Sequence, residues 1–222
     1  MAQPSYAPSL DPVSVIGAQF IAPYPFEMII VTNSSGDLLI TDVNHKILFK
    51  VKPCNTSNHE QRVLLDVDDI PIVMIREKVW TAHSVWKVLK GDSIADSDMI
   101  FSTKTPKIMQ SKTNVHVFLA NKSSSKDLCD FMIAGSWKNR SCTIYKGDSS
   151  TIIAQMHKME PPKRFKFVKD KFMVQIYPYV DYAFVVTLIA IVEAMKSSDT
   201  VTDDDVEAFI GGVTQAVGIA FS

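Results

Sequence analysis

The sequence predicts a mainly β protein, an antiparallel array of successive hairpins built around one apolar helix. Three observations predict it. From Leu38 onward, short runs of Val, Ile, Leu and Phe are broken every few residues by Asp, Asn, Gly, Ser or Pro, which is the rhythm of strands joined by tight turns. One run, Asp181 to Lys196, stays apolar for longer than a strand usually does. Apolar residues make up 46% of the 222, enough for a sizeable core in one domain.

The elements follow in order. Residues 1–20 carry Pro4, Pro8 and Pro12 with little apolar periodicity, and are expected to be a flexible leader before a domain over 21–196. Leu38–Thr41 and Ile47–Val51 flank the turn candidate Asp42–His45. Arg62–Leu65 and Ile72–Arg76 flank Asp66–Pro71, where Pro71 cannot donate a ladder hydrogen bond and belongs in or beside the turn. Val85–Leu89 pairs with Met99–Ser102, Val115–Leu119 with Phe131–Ala134, and Cys142–Tyr145 with Ile152–Met156. The stretch Trp86–Ser93 is echoed by Cys142–Ser149, each a strand running into a Lys-Gly-Asp-Ser turn. One loose echo does not make a solenoid and fits two equivalent hairpins of a barrel or sandwich.

The run Tyr182–Val192 contains six β-branched residues, which favours strand. Its length and the N-cap candidate Asp181 favour a buried helix. A helix over 181–196 rises only about 24 Å, short of the roughly 20 residues that cross a bilayer. Residues 197–222 form an acidic and apolar tail, in which Thr202 is placed to cap a short amphipathic helix bearing Val206, Phe209, Ile210, Val213 and Val217, weakened by Gly211 and Gly212.

Charge excludes little and favours little: 23 basic against 24 acidic residues leave no bulk attraction to nucleic acid or acidic lipid. Any charged partner must be met by a local patch. The odd set Cys54, Cys129 and Cys142 lacks metal-site spacing, and Met1–Leu10 has no secretory pattern, so an intracellular, reducing location is expected. His45, His59, His83, His116 and His157 are isolated from one another, and no nucleophile elbow, phosphate loop or dinucleotide fingerprint occurs. An EF-hand-like start at Asp66 fails because Ile70 and Pro71 occupy a ligand position and the turn-glycine position. No catalytic residue, metal or cofactor is expected.

One charged stretch stands out. Lys163, Arg164, Lys166, Lys169 and Lys171 put five cations in nine positions, interleaved with Phe165 and Phe167. Alternation on a strand turns the two phenylalanines inward and Arg164 and Lys166 outward. This is either an edge protected against aggregation or an anion-binding site for a lipid phosphate or an acidic partner, with Arg164, Lys166, Lys169 and Lys171 as the binding residues.

The chain resembles the plant LURP-one-related family, whose fold is similar to the tubby C-terminal domain and to phospholipid scramblases. The resemblance rests on Ala22-Pro-Tyr-Pro25, Asp42-Val-Asn-His-Lys-Ile-Leu-Phe-Lys-Val51, Arg62-Val-Leu-Leu-Asp66, Ile75-Arg-Glu-Lys78, Cys129-Asp-Phe-Met-Ile-Ala-Gly-Ser-Trp137, Ile153-Ala-Gln-Met-His157 and Val174-Gln-Ile-Tyr-Pro-Tyr-Val-Asp-Tyr-Ala-Phe184. It implies a twelve-stranded antiparallel β-barrel, tubby-like, enclosing a central hydrophobic helix at Asp181–Lys196. It further implies a non-enzymatic binding or scaffold module in plant defence signalling, cytoplasmic or nuclear, with phosphoinositides as membrane tether. Two departures are visible: His45 stands where the family often has a turn glycine, and Val67–Ile70 lacks turn glycines too. The alternative function is a membrane-inserted, scramblase-like lipid transporter with Tyr182–Val192 in the bilayer.

Overall fold

A computed structural model of the chain describes residues 11–57, 59–78, 85–105, 113–121, 128–147, 150–159 and 168–195. Twelve strands form one closed antiparallel barrel: β1 (Phe26–Asn33), β2 (Leu38–Asp42), β3 (Ile47–Pro53), β4 (Gln61–Leu65), β5 (Pro71–Lys78), β6 (Val85–Lys90), β7 (Met99–Lys104), β8 (Thr113–Leu119), β9 (Phe131–Ser136), β10 (Ser141–Lys146), β11 (Ile152–Lys158) and β12 (Val168–Ile176). Each strand pairs with its sequence neighbours, and β1 pairs with β12 from Phe26↔Ile176 onward to close the ring. Closure removes the sheet edges that would otherwise recruit another chain.

All five hairpins expected from the sequence are present as β2–β3, β4–β5, β6–β7, β8–β9 and β10–β11. Strand β1 was not expected from its own pattern, because Phe26-Glu-Met-Ile-Ile-Val-Thr-Asn33 does not alternate. The reason lies outside the barrel: Met28 and Ile30 face the interior, while Ile29 and Val31, on the outer face, are also covered. A strand buried on both faces carries no period of two.

Four hairpins at the same end of the barrel each carry one left-handed residue, late in the turn in two of them and at its first position in the other two. The connections β2–β3, β4–β5, β6–β7 and β10–β11 carry His45, Asp69, Gly91 and Gly147 with φ of 64°, 61°, 60° and 65°, and each is followed by a one-residue register shift in its ladder. In β2–β3 and β4–β5 the left-handed residue stands shortly before the bulge, which closes a short hairpin with the twist its strands need. The two glycine members are the echoed Lys-Gly-Asp-Ser stretches. In the other two an aspartate replaces the glycine's ease: the Asp42 Oδ1 accepts from the Asn44 and Lys46 N–H at 2.8 and 2.9 Å, and the Asp66 Oδ1 from Asp68 and Ile70 at 2.9 Å each. A left-handed non-glycine costs about 1–2 kcal/mol, against about 0.5–1 kcal/mol of extra chain entropy lost by glycine. His45→Gly is therefore expected to raise stability by about 0.5 kcal/mol, read as a higher urea midpoint with unchanged slope.

The helix α1 (Tyr182–Ala194) runs through the barrel, and every residue from Ala183 to Ala194 is buried. The six β-branched positions oppose a helix by roughly 0.5 kcal/mol each. Phe184, Val185, Val186, Leu188, Ile189, Ile191 and Val192 together gain on the order of 10–20 kcal/mol from burial. Burial wins, and inside a closed ring there is no strand partner, so only a helix can satisfy its own backbone. The one hydroxyl in the run, Thr187 Oγ1, donates back to the Ala183 carbonyl at 2.8 Å. Phe184 packs against Phe101 and Phe131 with ring centroids 5.3 and 4.8 Å apart.

The described core of the interior is built around this helix. A cavity of about 10 Å³ lies between Ile189 and the wall residues Ile133, Cys142, Ile144 and Val174, room for about one water. Among the described residues no helix is long and apolar enough to cross a membrane, and the Tyr182–Val192 segment that the transporter alternative places in lipid is enclosed by strands.

Within the segment expected to be a flexible leader, Val13, Val15, Ile16 and Phe20 pack against the core, while Asp11, Pro12, Ser14, Ala18 and Gln19 are exposed. Val13 is buried and bridges to Val180, Ile21 bridges to Asp181, and the Phe20 ring lies 5.6 Å from Phe49 and 5.8 Å from Tyr182. The physical reason is a polar anchor that no local pattern shows: the Val15, Ile16 and Gly17 N–H groups donate to Asp181 Oδ2 at 3.1, 2.7 and 3.0 Å. The short helix expected in the 197–222 tail lies outside the described residues.

Candidate functional site

The antiparallel register sorts the connections between two rims. At the rim where α1 starts lie residues 11–21 and the turns after β2, β4, β6, β8 and β10. At the rim where α1 ends lie the β1–β2 turn, the β9–β10 turn, the ends of β5, β7 and β11, and the start of β12.

Charge is segregated between them. Among the described residues the turns of the α1-start rim carry Asp42, Asp66, Asp68, Asp69, Asp92, Asp96, Asp98 and Asp130, against Lys46, Lys90 and Lys146. At the α1-end rim Lys78, Lys104, Lys138 and Lys158 are exposed. Its described acids are largely withdrawn: Asp37 and Glu193 are buried, and Glu60, Glu77 and Asp170 are half-buried.

Beneath this rim two buried arginines hold the acids. The Arg140 Nε donates to Asp170 Oδ2, and its Nη1 to Glu193 Oε2 at 2.9 Å. The same Glu193 oxygen accepts from Trp137 Nε1 at 3.0 Å. The guanidinium lies over the Trp137 and Phe172 rings, 4.8 and 4.6 Å from their centroids. Arg62 reaches from β4 to donate to the Gly36 carbonyl at 2.6 Å, with Glu60 3.7 Å from its Nη2. Burial pushes the Glu60 and Asp37 carboxyls above the usual range; Arg62 opposes this at both, and the Asn33 amide at Asp37. Burial also draws Arg62 down from its ordinary value, and the charges of Glu60, Glu193 and Asp37 pull it back. This is a structural lattice; neither arginine's charge is presented to solvent.

Of the four expected binding residues, Arg164 and Lys166 lie outside the described residues, and Lys169 is a backbone member of β12. Lys171 is half-buried on β12 opposite Val31 of β1, next to Asp170. The Asp170 carboxylate turns to Arg140 and to the Lys171 N–H, so the one acid within the basic stretch is engaged by the barrel wall. Sequence reasoning missed Arg140, Glu193 and Arg62. The signal was available: a lone glutamate in an otherwise apolar helix and an arginine in an apolar strand each need a buried partner.

Cys142 is buried, His157 is exposed on the neighbouring strand, and Cys54 has its thiol pushed up by burial. Among the described residues no cluster of His, Cys, Asp or Glu is arranged to hold a metal ion.

Comparison with known proteins gives a family. A profile described as LURP-one-related matches residues 27–193. The chain is similar to Protein LURP-one-related 15 of Arabidopsis thaliana, 40% identical over 83% of this chain and 87% of that one. It is similar also to Protein LURP-one-related 10, 39% identical over 85% and 99%, and to Protein LURP1, 34% identical over 90% and 99%, both from the same plant. A crystal structure of an Arabidopsis thaliana protein superposes with a TM-score of 0.65 at 37% identity, covering 82% of this chain and 98% of that one.

Proposed function

Because this chain belongs to the LURP-one-related family, we propose that it is a non-enzymatic binding module that presents its α1-end rim to an anionic surface, a phosphoinositide-bearing membrane above all, in plant defence signalling. The observation that carries this is the segregation of charge: exposed Lys78, Lys104, Lys138 and Lys158 around one rim, aspartates around the other. Such a polarity orients a near-neutral protein without giving it bulk attraction to polyanions. Lys169 and Lys171 belong to the first residues of β12, and in the sequence Arg164 and Lys166 precede them between β11 and β12, so these four are taken as the candidate contact. The helix inside the barrel supports a contact made at the outer surface.

Vesicle co-sedimentation tests it. Wild type is expected to bind phosphatidylcholine vesicles containing a phosphoinositide, to bind phosphatidylcholine alone weakly, and to release with salt. Each cation near an anionic surface contributes about 1 kcal/mol, so changing Arg164, Lys166, Lys169 and Lys171 to alanine together is expected to weaken binding by roughly a hundredfold or more. Equal binding by wild type and variant rejects these four residues as the contact.

A further inference from the structure

Among the described residues, the large hydrophobic side chains that stand open to solvent all lie at one end of the barrel. Val43, Val67, Ile70 and Ile94 are 50%, 48%, 58% and 64% exposed, in the turns after β2, β4 and β6. Tyr24, Leu128 and Tyr179 are the others, beside the start of β1, in the β8–β9 connection and just before α1. Every one belongs to the α1-start rim. Apolar residues scattered singly over a surface need no explanation, but a set confined to one rim does.

The turns do not require them. In Asp42–Lys46 and Asp66–Ile70 the first aspartate holds the backbone, through the N–H groups two and four residues on. Val43 and Val67 each follow that aspartate, a place where polar residues or glycine are the usual choice. None of the four packs on either hydrophobic cluster of the barrel. The three turns form one arc. Strand β3 pairs with β4 and β5 with β6, so successive turns stand roughly 10 Å apart, two strand spacings. They are also tied together, by Lys50 Nζ donating to the Val67 carbonyl at 3.4 Å and the Gly91 N–H donating to the Ile72 carbonyl at 2.9 Å.

The charge around this arc is acidic. Lys50 and Lys52 are taken up by Asp69 at 3.0 and 3.5 Å, and Lys87 by Asp96 at 2.7 Å. That leaves Asp42, Asp66, Asp68, Asp92 and Asp98 in these turns against Lys46 and Lys90. Asp68 is exposed next to Val67, and Asp92 is exposed two residues from Ile94. An apolar surface ringed by carboxylates is repelled by nucleic acid and anionic lipid, and suits cations carried on an apolar segment. The lysine rim of a second copy has the right sign, but its described residues expose no large hydrophobic to meet Ile70 or Ile94.

We infer that the arc of Val43, Val67, Ile70 and Ile94 is the docking surface for a protein partner, through a segment in which lysines or arginines are interleaved with apolar side chains. The apolar contacts supply most of the affinity, while Asp68 and Asp92 select the partner's sign and speed its approach. The inference holds whatever the α1-end rim binds.

A random peptide library displayed on phage, panned against the full-length protein, tests it. Counter-selection uses Val67→Ser with Ile70→Ser and Ile94→Ser, changes at exposed positions that leave the backbone bonds of the turns in place. Peptides that prefer wild type are expected to be rich in lysine or arginine and in leucine or aromatic residues. A synthetic copy of such a peptide is expected to bind the triple variant at least about tenfold more weakly. It is expected to bind Asp68→Asn with Asp92→Asn severalfold more weakly, and with a shallower salt dependence. On wild type its amide shift changes should centre on residues 43–46, 66–70 and 91–98. Failure to find a peptide that distinguishes wild type from the triple variant overturns the proposal, as do selected peptides that are acidic or uncharged. Sedimentation in which wild type self-associates and the triple variant does not also overturns it, and assigns the surface to a second copy. The wild-type shift map decides even where a variant fails to fold, since changes confined to other residues reject the arc.

Discussion

Replacing Asp181 by alanine is expected to lower the unfolding free energy by about 3–5 kcal/mol, the sum of one lost helix cap and three stranded backbone donors discounted for partial exposure. The carboxylate serves two elements that are remote in sequence. Its Oδ1 accepts from the Phe184 N–H at 3.0 Å and caps α1, while its Oδ2 accepts from Val15, Ile16 and Gly17. Burial pushes this carboxyl up and the four N–H donors draw it back; the ionised form, which has only lone pairs to offer, matches a site made only of donors. Asp181→Asn is expected to fall between wild type and alanine, since it keeps one oxygen but turns an amide N–H₂ toward donors. Urea denaturation gives the magnitude, and amide exchange at Ile16 and Gly17 should accelerate together with that at Phe184. A loss below about 1 kcal/mol would mean that water replaces all four bonds, and the anchor would then be incidental.

The second large effect is expected at Arg140. Changing it to alanine leaves the Glu193 carboxylate buried beside Asp170 without its guanidinium, and removing one partner of a buried pair typically costs about 3–5 kcal/mol. Glu193 is an unfavourable residue at this place for a second reason: a negative charge in the last turn opposes the helix dipole. It is tolerated because Arg140 and the Trp137 indole meet it, which fixes the rotation of α1 against the β9–β10 turn. A double-mutant cycle with Arg140→Ala and Glu193→Ala is expected to show coupling of about 1–3 kcal/mol, because the second change removes the charge that the first one strands. Additive effects would reject the lock. Glu193→Ala leaves the Arg140–Asp170 pair and the exposed lysines of the rim in place, so vesicle binding by its folded fraction should persist.

The two arginines show why part of the candidate site was hidden in the sequence. A charged residue in an apolar run signals that a partner exists but not which one, because Arg140 and Glu193 are brought together only by the helix returning through the barrel. Position 170 shows the converse. Within a run of cations, Asp170 looks like a neutralising neighbour, yet its carboxylate faces Arg140 and the run keeps its charge. The turns were more legible. Asp42 and Asp66 sit where a side chain can bond the backbone two and four residues on, which compensates for the missing glycines at His45 and Asp69.

The sequence by itself determined the strand rhythm, five hairpins, the N-cap of α1 and the length of its apolar run, because alternation, turn chemistry and capping are interactions among residues close along the chain. Tertiary structure alone decided three things. It made β1 a strand without alternation, since both its faces are covered. It packed Val13, Val15, Ile16 and Phe20 against the core, since the backbone donors among them find an acceptor more than 160 positions away. And it made a helix of a β-branched run, since a closed ring of twelve strands has an interior to fill and no edge to offer.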